Sequence, residues 1–498
     1  MNLSRTFFLL VLGFVALPLC AQLSGGIGVP AQAGPVADQY RAAAARILAA
    51  AGSDRDGYEA LAYLCDHIGN RNSGSAQLNT AVQWGADLMR KAGLENVTVQ
   101  PVLVPHWVRG QEQGSILTPV ERHLHLLGLG MSIGTPAGGI TAPVLFVHNF
   151  AELDALPAAE VRGKIVVFDP GWHGYGVGTN YRTNGASRAA AKGAVAVLVR
   201  SATGLALQAP HTGRLLYDPA QPKVPAAAIS VEDAALIERL SKQGLVQVHL
   251  QMDAHLEPDV ESGNVVGEIT GSVHPEEVVV IGGHIDSWDV GQGAQDDGSG
   301  IMATFEAVSL LHKLGLRPKR TLRVVFWVNE ENGGAGGRAY RDLIGTAAVG
   351  KHVAALEMDT GAERPLGIGY GSFGAHGSPP AASAATAPAF DLKALTPAQQ
   401  RSFSILQQIA SLLEPIGADR VFPNGGGEDI GPIVALGVPS LSPHATGEHY
   451  FDWHHSEADT VDKVDLGDFR KNLALIAVTS YVLSNIDEKL QGTITAEK

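Results

Sequence analysis

Apolar residues recur along this chain in two rhythms, and the rhythm changes with position. Ala37 to Ala51 and Leu78 to Ala92 repeat them at helical spacing, the second ended by Gly93, with the turn-rich string GNRNSGS (69–75) between. From about Met131 to Ser262 short β-like runs such as APVLFVHN and KIVVFDP alternate with small-residue helices such as ASRAAAKGAVAVLVRS, which predicts a separate module. Beyond it, Val278 to Ile281, Thr321 to Val328, Val353 to Met358 and Ile433 to Leu441 are near-continuous apolar runs of the kind that strands buried on both faces require. Ile301, Phe305, Val308 and Leu311 recur at helical spacing after the first of these, with Ser299 as the expected cap, and Leu473 to Leu490 predicts a packing helix.

At the amino end, Arg5 precedes an apolar run from Phe7 to Leu19, too short to span a bilayer but the right length for the core of a signal peptide. The expected cut follows Ala21; Ala31-Gln32-Ala33 fits the small-residue rule but lies far from the apolar core, and a lipoprotein at Cys20 would want a small residue where Leu19 stands. The chain is therefore expected to divide into a signal peptide (1–21), a Gly-, Ala- and Pro-rich lead expected to be disordered (22–35), the first part of a main domain (36–130), the module (131–262) and the second part of the main domain (263–498). No later segment is long and apolar enough to cross a membrane, so the expected location is secreted or periplasmic.

Composition narrows the chemistry. Of the two cysteines, the cut removes one and leaves Cys65 without an intramolecular partner, so core burial must hold the fold. Lys plus Arg number 36 against 50 Asp plus Glu, with no basic block, which disfavours nucleic acid as a partner. Gly130-Met131-Ser132-Ile133-Gly134 matches the nucleophile-elbow pattern, but Thr135-Pro136-Ala137-Gly138-Gly139 follows where that pattern needs a helix. The glycine-rich turn after Glu330 and Glu331 is a poor phosphate cradle, because the two acids repel phosphate, and Asn96-Val97-Thr98 is taken as a chance glycosylation signal.

What remains is a set of groups just past the apolar runs. His284, Asp286, Asp296 and Asp297 follow the first, Glu330 and Glu331 the second, Asp359 the third, and His454 and His455 lie beyond the fourth. Ligands of open α/β sheets bind beyond the carboxyl ends of the strands. Singly these are weak signals. Together His284, Asp296, Glu331, Asp359 and His455 offer two imidazoles and three carboxylates, a costly burial unless cations neutralise it. Nitrogen and oxygen donors without thiolate suit zinc, and the set has the composition of a two-zinc centre.

The ordered motifs His284-x-Asp286-Ser287, Asp296-Asp297-Gly298-Ser299-Gly300, Glu330-Glu331, Glu357-x-Asp359 and His455-Ser456-x-x-Asp459-Thr460 resemble those of the di-zinc exopeptidases that include aminopeptidases and glutamate carboxypeptidases. SWDVGQGAQDD, LGLRPKRTLR, RGKIVVFDP, YRTNGA, APHTG (209–213) and PHWVRG (105–110) extend the resemblance over nearly the whole mature chain. It implies an α/β fold, a mixed and mainly parallel sheet flanked by helices, interrupted by a protease-associated module. It further implies that His284 and Asp359 hold one of two zinc ions, Glu331 and His455 the other, and Asp296 both. Glu330 would be the general base, and the Asp286 carboxylate would orient His284, as a ligating imidazole normally requires. Tyr450 stands where its hydroxyl serves the oxyanion, or is a core aromatic. The expected substrates are dipeptides and short peptides, the expected assembly a homodimer, and the module is expected to shape access to the site and supply none of the chemistry. A broad aminopeptidase would carry the same ligands, a related acyl-transferring cyclase uses one zinc, and receptor-like relatives have lost the ligands. The low-complexity stretch at 375–396 has no match in the resemblance, which leaves specificity open.

Overall fold

The structure, a computed structural model, describes residues 28–205, 207–371 and 392–492. The expected signal segment and most of the 375–396 stretch lie outside them. Two sheets organise the chain. The first has nine strands in the order Val29–Pro30, Arg420–Phe422, Pro365–Tyr370, Ser440–Ala445, His352–Glu357, His274–His284, Arg320–Trp327, His255–Ile269 and Glu95–Val108. Its centre is parallel, since His274–His284 pairs in parallel with both Arg320–Trp327 and His352–Glu357, while the last two strands are antiparallel.

The apolar runs are continuous because both faces of this centre are covered. Val279, Ile281, Val324 and Leu356 pack with the helices Pro35–Ser53, Ala76–Lys91, Ser299–Lys313 and Leu466–Leu483. The alternate residues Val278, Val280, Val325 and Ala355 face Tyr340 and Val349 of the helix Ala335–Val349 and Ile433 of the short helix Gly431–Val434. Period-two alternation is thus present, but both phases are apolar.

The second sheet has eight strands, in the order Arg122–Leu124, Glu112–Thr118, Gln247–Met252, Ile140–Val147, Ile165–Phe168, Ala196–Arg200, Ala226–Ile229 and Leu126–Gly128. Helices Tyr175–Ala190 and Val231–Ser241 cover its two faces. This sheet begins at Glu112 and ends at Met252, so the expected boundary at 131 falls inside it, and the one at 262 falls within the strand His255–Ile269 of the first sheet. The composition change at 131 marks the start of the parallel part of the module and misses its antiparallel entry.

Other expectations also shift. The lead is ordered from Gly28, with Val29 paired to Val421, and helix formation begins at Pro35. Ile433 to Leu441 splits into the short helix and the strand Ser440–Ala445, because the chain turns at Gly437, whose φ is 96° and whose N–H bonds the Val434 carbonyl at 2.8 Å. The last helix runs Leu466–Leu483, capped by the Asp465 side chain accepting from the N–H of Asp468 at 2.9 Å. Ser299 lies inside its helix and donates to the Gln295 carbonyl; the Asp297 carboxylate takes the Gly300 N–H instead, at 3.1 Å. In the elbow-like string, the Ser132 hydroxyl is buried between the Ala226 N–H and the Ile133 carbonyl, and Gly130 is required because a Cβ there would meet the Trp288 ring at 2.1 Å.

Candidate metal centre

Three parallel strands ending at one edge of the first sheet bring the acids together. His284 is the last residue of its strand, Glu330 and Glu331 follow Arg320–Trp327, and Asp359 follows His352–Glu357. Asp296 comes from the turn Ala294–Gly298, held by Asp459, whose two carboxylate oxygens accept the N–H groups of Gln295 (2.7 Å) and Asp296 (3.2 Å). His455 enters from the loop after Tyr450–Trp453 with φ of 60°, a left-handed backbone that turns its ring toward the acids.

All five expected donors converge. Nε2 of His284 lies 3.3 Å from Asp296 Oδ1 and 3.4 Å from Asp359 Oδ1. Nε2 of His455 lies 3.1 Å from Asp296 Oδ2 and 3.0 Å from Glu331 Oε2. His454 is a third imidazole at the same place, stacked on His455 with ring centroids 3.6 Å apart and its Nε2 3.3 Å from Asp296 Oδ2. Glu357 does not reach the centre; its carboxylate accepts the N–H groups of Asp429 (3.3 Å) and Ile430 (2.9 Å).

The donor set fits cations. Glu331 Oε1 is buried without a hydrogen-bond partner, a costly state that a bound ion relieves. Burial pushes Glu331 up to about 7, against the pull of His455, and raises Glu330 well above the usual carboxylate range, where His284 opposes it and Asp359 adds to it. Buried acids this close cannot all ionise among themselves.

Two expectations about neighbouring groups change. Nδ1 of His284 bonds the backbone carbonyl of Asp286 at 2.9 Å, while the Asp286 carboxylate is 3.8 Å away. That carboxylate instead accepts the N–H of Glu330 (3.0 Å), the N–H of Glu331 (3.3 Å) and the Ser73 hydroxyl (3.3 Å), because a tight turn aims its carbonyl at the imidazole and its side chain at the glutamate loop. The inserted module also does more than screen the site. Thr212 donates its N–H to the His455 carbonyl (2.9 Å), and its own carbonyl lies 3.3 Å from His455 Nδ1 and accepts from Arg182 (3.1 Å). A segment of the module therefore clamps a candidate ligand.

Arg71 was not foreseen as part of the site. Its fully buried guanidinium donates to the carbonyls of Gly69, Ile285, Gln292 and Gly293 at 2.7 to 2.9 Å, tying the turn at 69–75 to the acidic loop. An arginine in a glycine-bounded turn is the only local signal it gives. Above the donors lies a cleft of about 1180 Å³, lined from the first sheet's side by Asp296, Glu330, Asp359 and Tyr450 and from the module by Arg182 and Arg214.

Comparison with known proteins agrees with this arrangement. Residues 264–480 match peptidase family M28 and residues 137–237 match the PA domain. Carboxypeptidase Q of Mus musculus is 41% identical over 434 residues, 87% of this chain and 86% of that protein, and that of Homo sapiens is 40% identical over the same length. The chain belongs to peptidase family M28. It is a zinc-dependent metallo-exopeptidase of that family carrying a PA-domain insertion. The crystal structure of an M28 peptidase precursor from Shewanella amazonensis superposes with a TM-score of 0.82 at 32% identity, covering 91% of this chain and 98% of that one. BSAP, a zinc aminopeptidase from Bacillus subtilis, shares the M28 fold with a TM-score of 0.62 at 20% identity, over 89% of this chain and 98% of that one.

Proposed function

We propose that this M28 enzyme hydrolyses dipeptides and other short peptides at a centre of two zinc ions, His284 and Asp359 holding one, Glu331 and His455 the other, and Asp296 both. Asp296 carries the reading: each of its oxygens faces a different histidine, Oδ1 at 3.3 Å from His284 and Oδ2 at 3.1 Å from His455, the disposition of a carboxylate shared between two ions. Bound there, zinc supplies a Lewis acid for the scissile carbonyl and acidifies a water. Glu330, in the cleft wall, accepts the proton of the attacking water and returns it to the leaving nitrogen as the C–N bond breaks. Asp286 is a positioning residue, fixing the Glu330 backbone from behind. Tyr450, beside Asp296 and Asp359, offers its hydroxyl to the oxyanion.

Metal analysis of the purified protein and a panel of peptides with free and blocked termini, read by mass spectrometry, test this reading. Two zinc ions per chain and release of single residues from short peptides are expected. One zinc per chain, or no cleavage of any member, overturns it. The apolar run at 7–19 supports export, and a homodimer is proposed from the resemblance alone. An N-terminus at or after Gln22 in extracytoplasmic protein, and a dimer in sedimentation, are the expected results.

A further inference from the structure

The module also brings a phenol to the metal centre. Tyr175, the first residue of the module helix Tyr175–Ala190, lines the cleft with Glu330, Glu331, His454 and His455. Its ring is held by three neighbours. It stacks on Phe451 with centroids 4.6 Å apart and planes at 23°, stands edge-on to His454 at 4.9 Å and 88°, and has the Arg182 guanidinium 5.3 Å from its centroid. Tyr450 meets the same His454 ring at 5.0 Å, so two phenols gather there, one from the module and one from outside it.

The hydrogen bonds of the Tyr175 hydroxyl leave its proton free. Arg182 Nη2 donates to the phenol oxygen at 3.0 Å, and a guanidinium has no lone pair to accept in return. Among the described residues the remaining contact of the hydroxyl is His454 Nε2 at 3.5 Å, the outer limit of a hydrogen bond, and that nitrogen lies closer to Asp296 Oδ2, at 3.3 Å. Donation from Arg182 polarises the O–H and makes it a stronger donor. Position then selects what receives the proton. The same Asp296 oxygen is 3.1 Å from His455 Nε2, which is 3.0 Å from Glu331, so the hydroxyl stands beside the Glu331 and His455 half of the centre. In the hydrolysis argued above, the water oxygen bonds to the scissile carbon as the carbonyl π pair moves onto oxygen, and that pair returns when the C–N bond breaks. A fixed donor at this oxygen binds the transition state more tightly than the substrate. We propose that the Tyr175 hydroxyl donates to the scissile carbonyl oxygen as it becomes the oxyanion, keeping its own proton throughout, so that the module supplies a catalytic residue beside Tyr450. The proposal rests on the exopeptidase reading.

The test is Tyr175→Phe, which keeps the ring against Phe451 and His454 and removes the hydroxyl alone. Against the wild type it compares kcat and KM for an Ala-Leu dipeptide, calorimetric affinity for the phosphinic analogue of that dipeptide, and zinc content. The tetrahedral phosphinate anion stands in for the oxyanion, and rates are taken per site titrated by it, so a folding loss leaves them readable. In Tyr175→Phe kcat is expected to fall about 100-fold with little change in KM. Affinity for the phosphinic analogue should fall by a similar factor, with zinc content unchanged. An unchanged kcat or an unchanged affinity for the analogue overturns the assignment. So does a loss of zinc that accounts for the fall in rate, which would make Tyr175 a support for His454 and His455. Absence of hydrolysis by the wild type overturns the exopeptidase reading and the donor together, whereas equal rates in wild type and variant overturn the donor alone.

Discussion

Glu330→Gln should keep zinc and lose activity by a factor on the order of 100 to 10,000, because the amide accepts no proton while every proposed ligand remains. Metal content and kcat on one preparation check this, and a variant at near wild-type rate would remove Glu330 from the role of base. Asp296→Ala should lower occupancy at both half-sites together, since each of its oxygens faces one histidine; metal analysis finding one full-occupancy zinc would contradict sharing. Residues such as His284, Glu331 and Asp359 were legible because each stands just past an apolar run, where sheet topology fixes the end of the strand in space. Asp286 was half legible: its place beside His284 follows from spacing, but whether its carbonyl or carboxylate meets the ring depends on the turn's backbone angles. Arg71 was not legible, since three of the carbonyls it binds lie 214 to 222 positions away.

Elements were read well where one pattern decides them and poorly where a side chain closes them. The central strands declare themselves because both phases of their alternation are buried, whereas the helix starting at Ser299 is capped by an aspartate chosen by the loop and not by its nearest serine. One junction between elements gives a pH signature. His352, at the start of its strand, bonds the Tyr340 hydroxyl (2.8 Å) and the Ala348 carbonyl (3.0 Å) of the preceding helix, while Arg323 donates to the same hydroxyl at 3.2 Å. Burial lowers His352 to about 4, aided by the nearby Arg323, so the native imidazole stays neutral while the unfolded one protonates near 6.5. Its contribution to stability is full above about pH 6.5 and is lost as pH falls toward 4, about 3 kcal/mol across that window. Thermal unfolding of His352→Gln should show a flatter acid limb than the wild type over this interval, and parallel limbs would refute the assignment.

At the scale of the whole molecule, the module is joined to the first sheet by the long antiparallel pair Glu95–Val108 and His255–Ile269, and again by Thr212 on His455. The composition of the module gave no hint of the second junction, because a backbone amide and carbonyl carry it. Arg182→Met, which removes both the bond to the Thr212 carbonyl and the contact at 3.4 Å with His455 Nδ1, should weaken zinc on the His455 side roughly tenfold, measured as loss to a chelator, although the substitution lies in the insert. Unchanged metal retention would show the clamp to be incidental.

Under the proposed ligand set, the Thr212–His455 pair would also make the cleft and the metals thermodynamically reciprocal. If His455 holds a metal as proposed, a displacement of the module that widens the cleft would strain a bond to that ring, and occupancy of the cleft and of the centre would each raise the affinity for the other. A slowly cleaved peptide should then retard zinc release from the wild type more than from Arg182→Met. On that assignment the insert would act as a gauge of whether the cleft is filled.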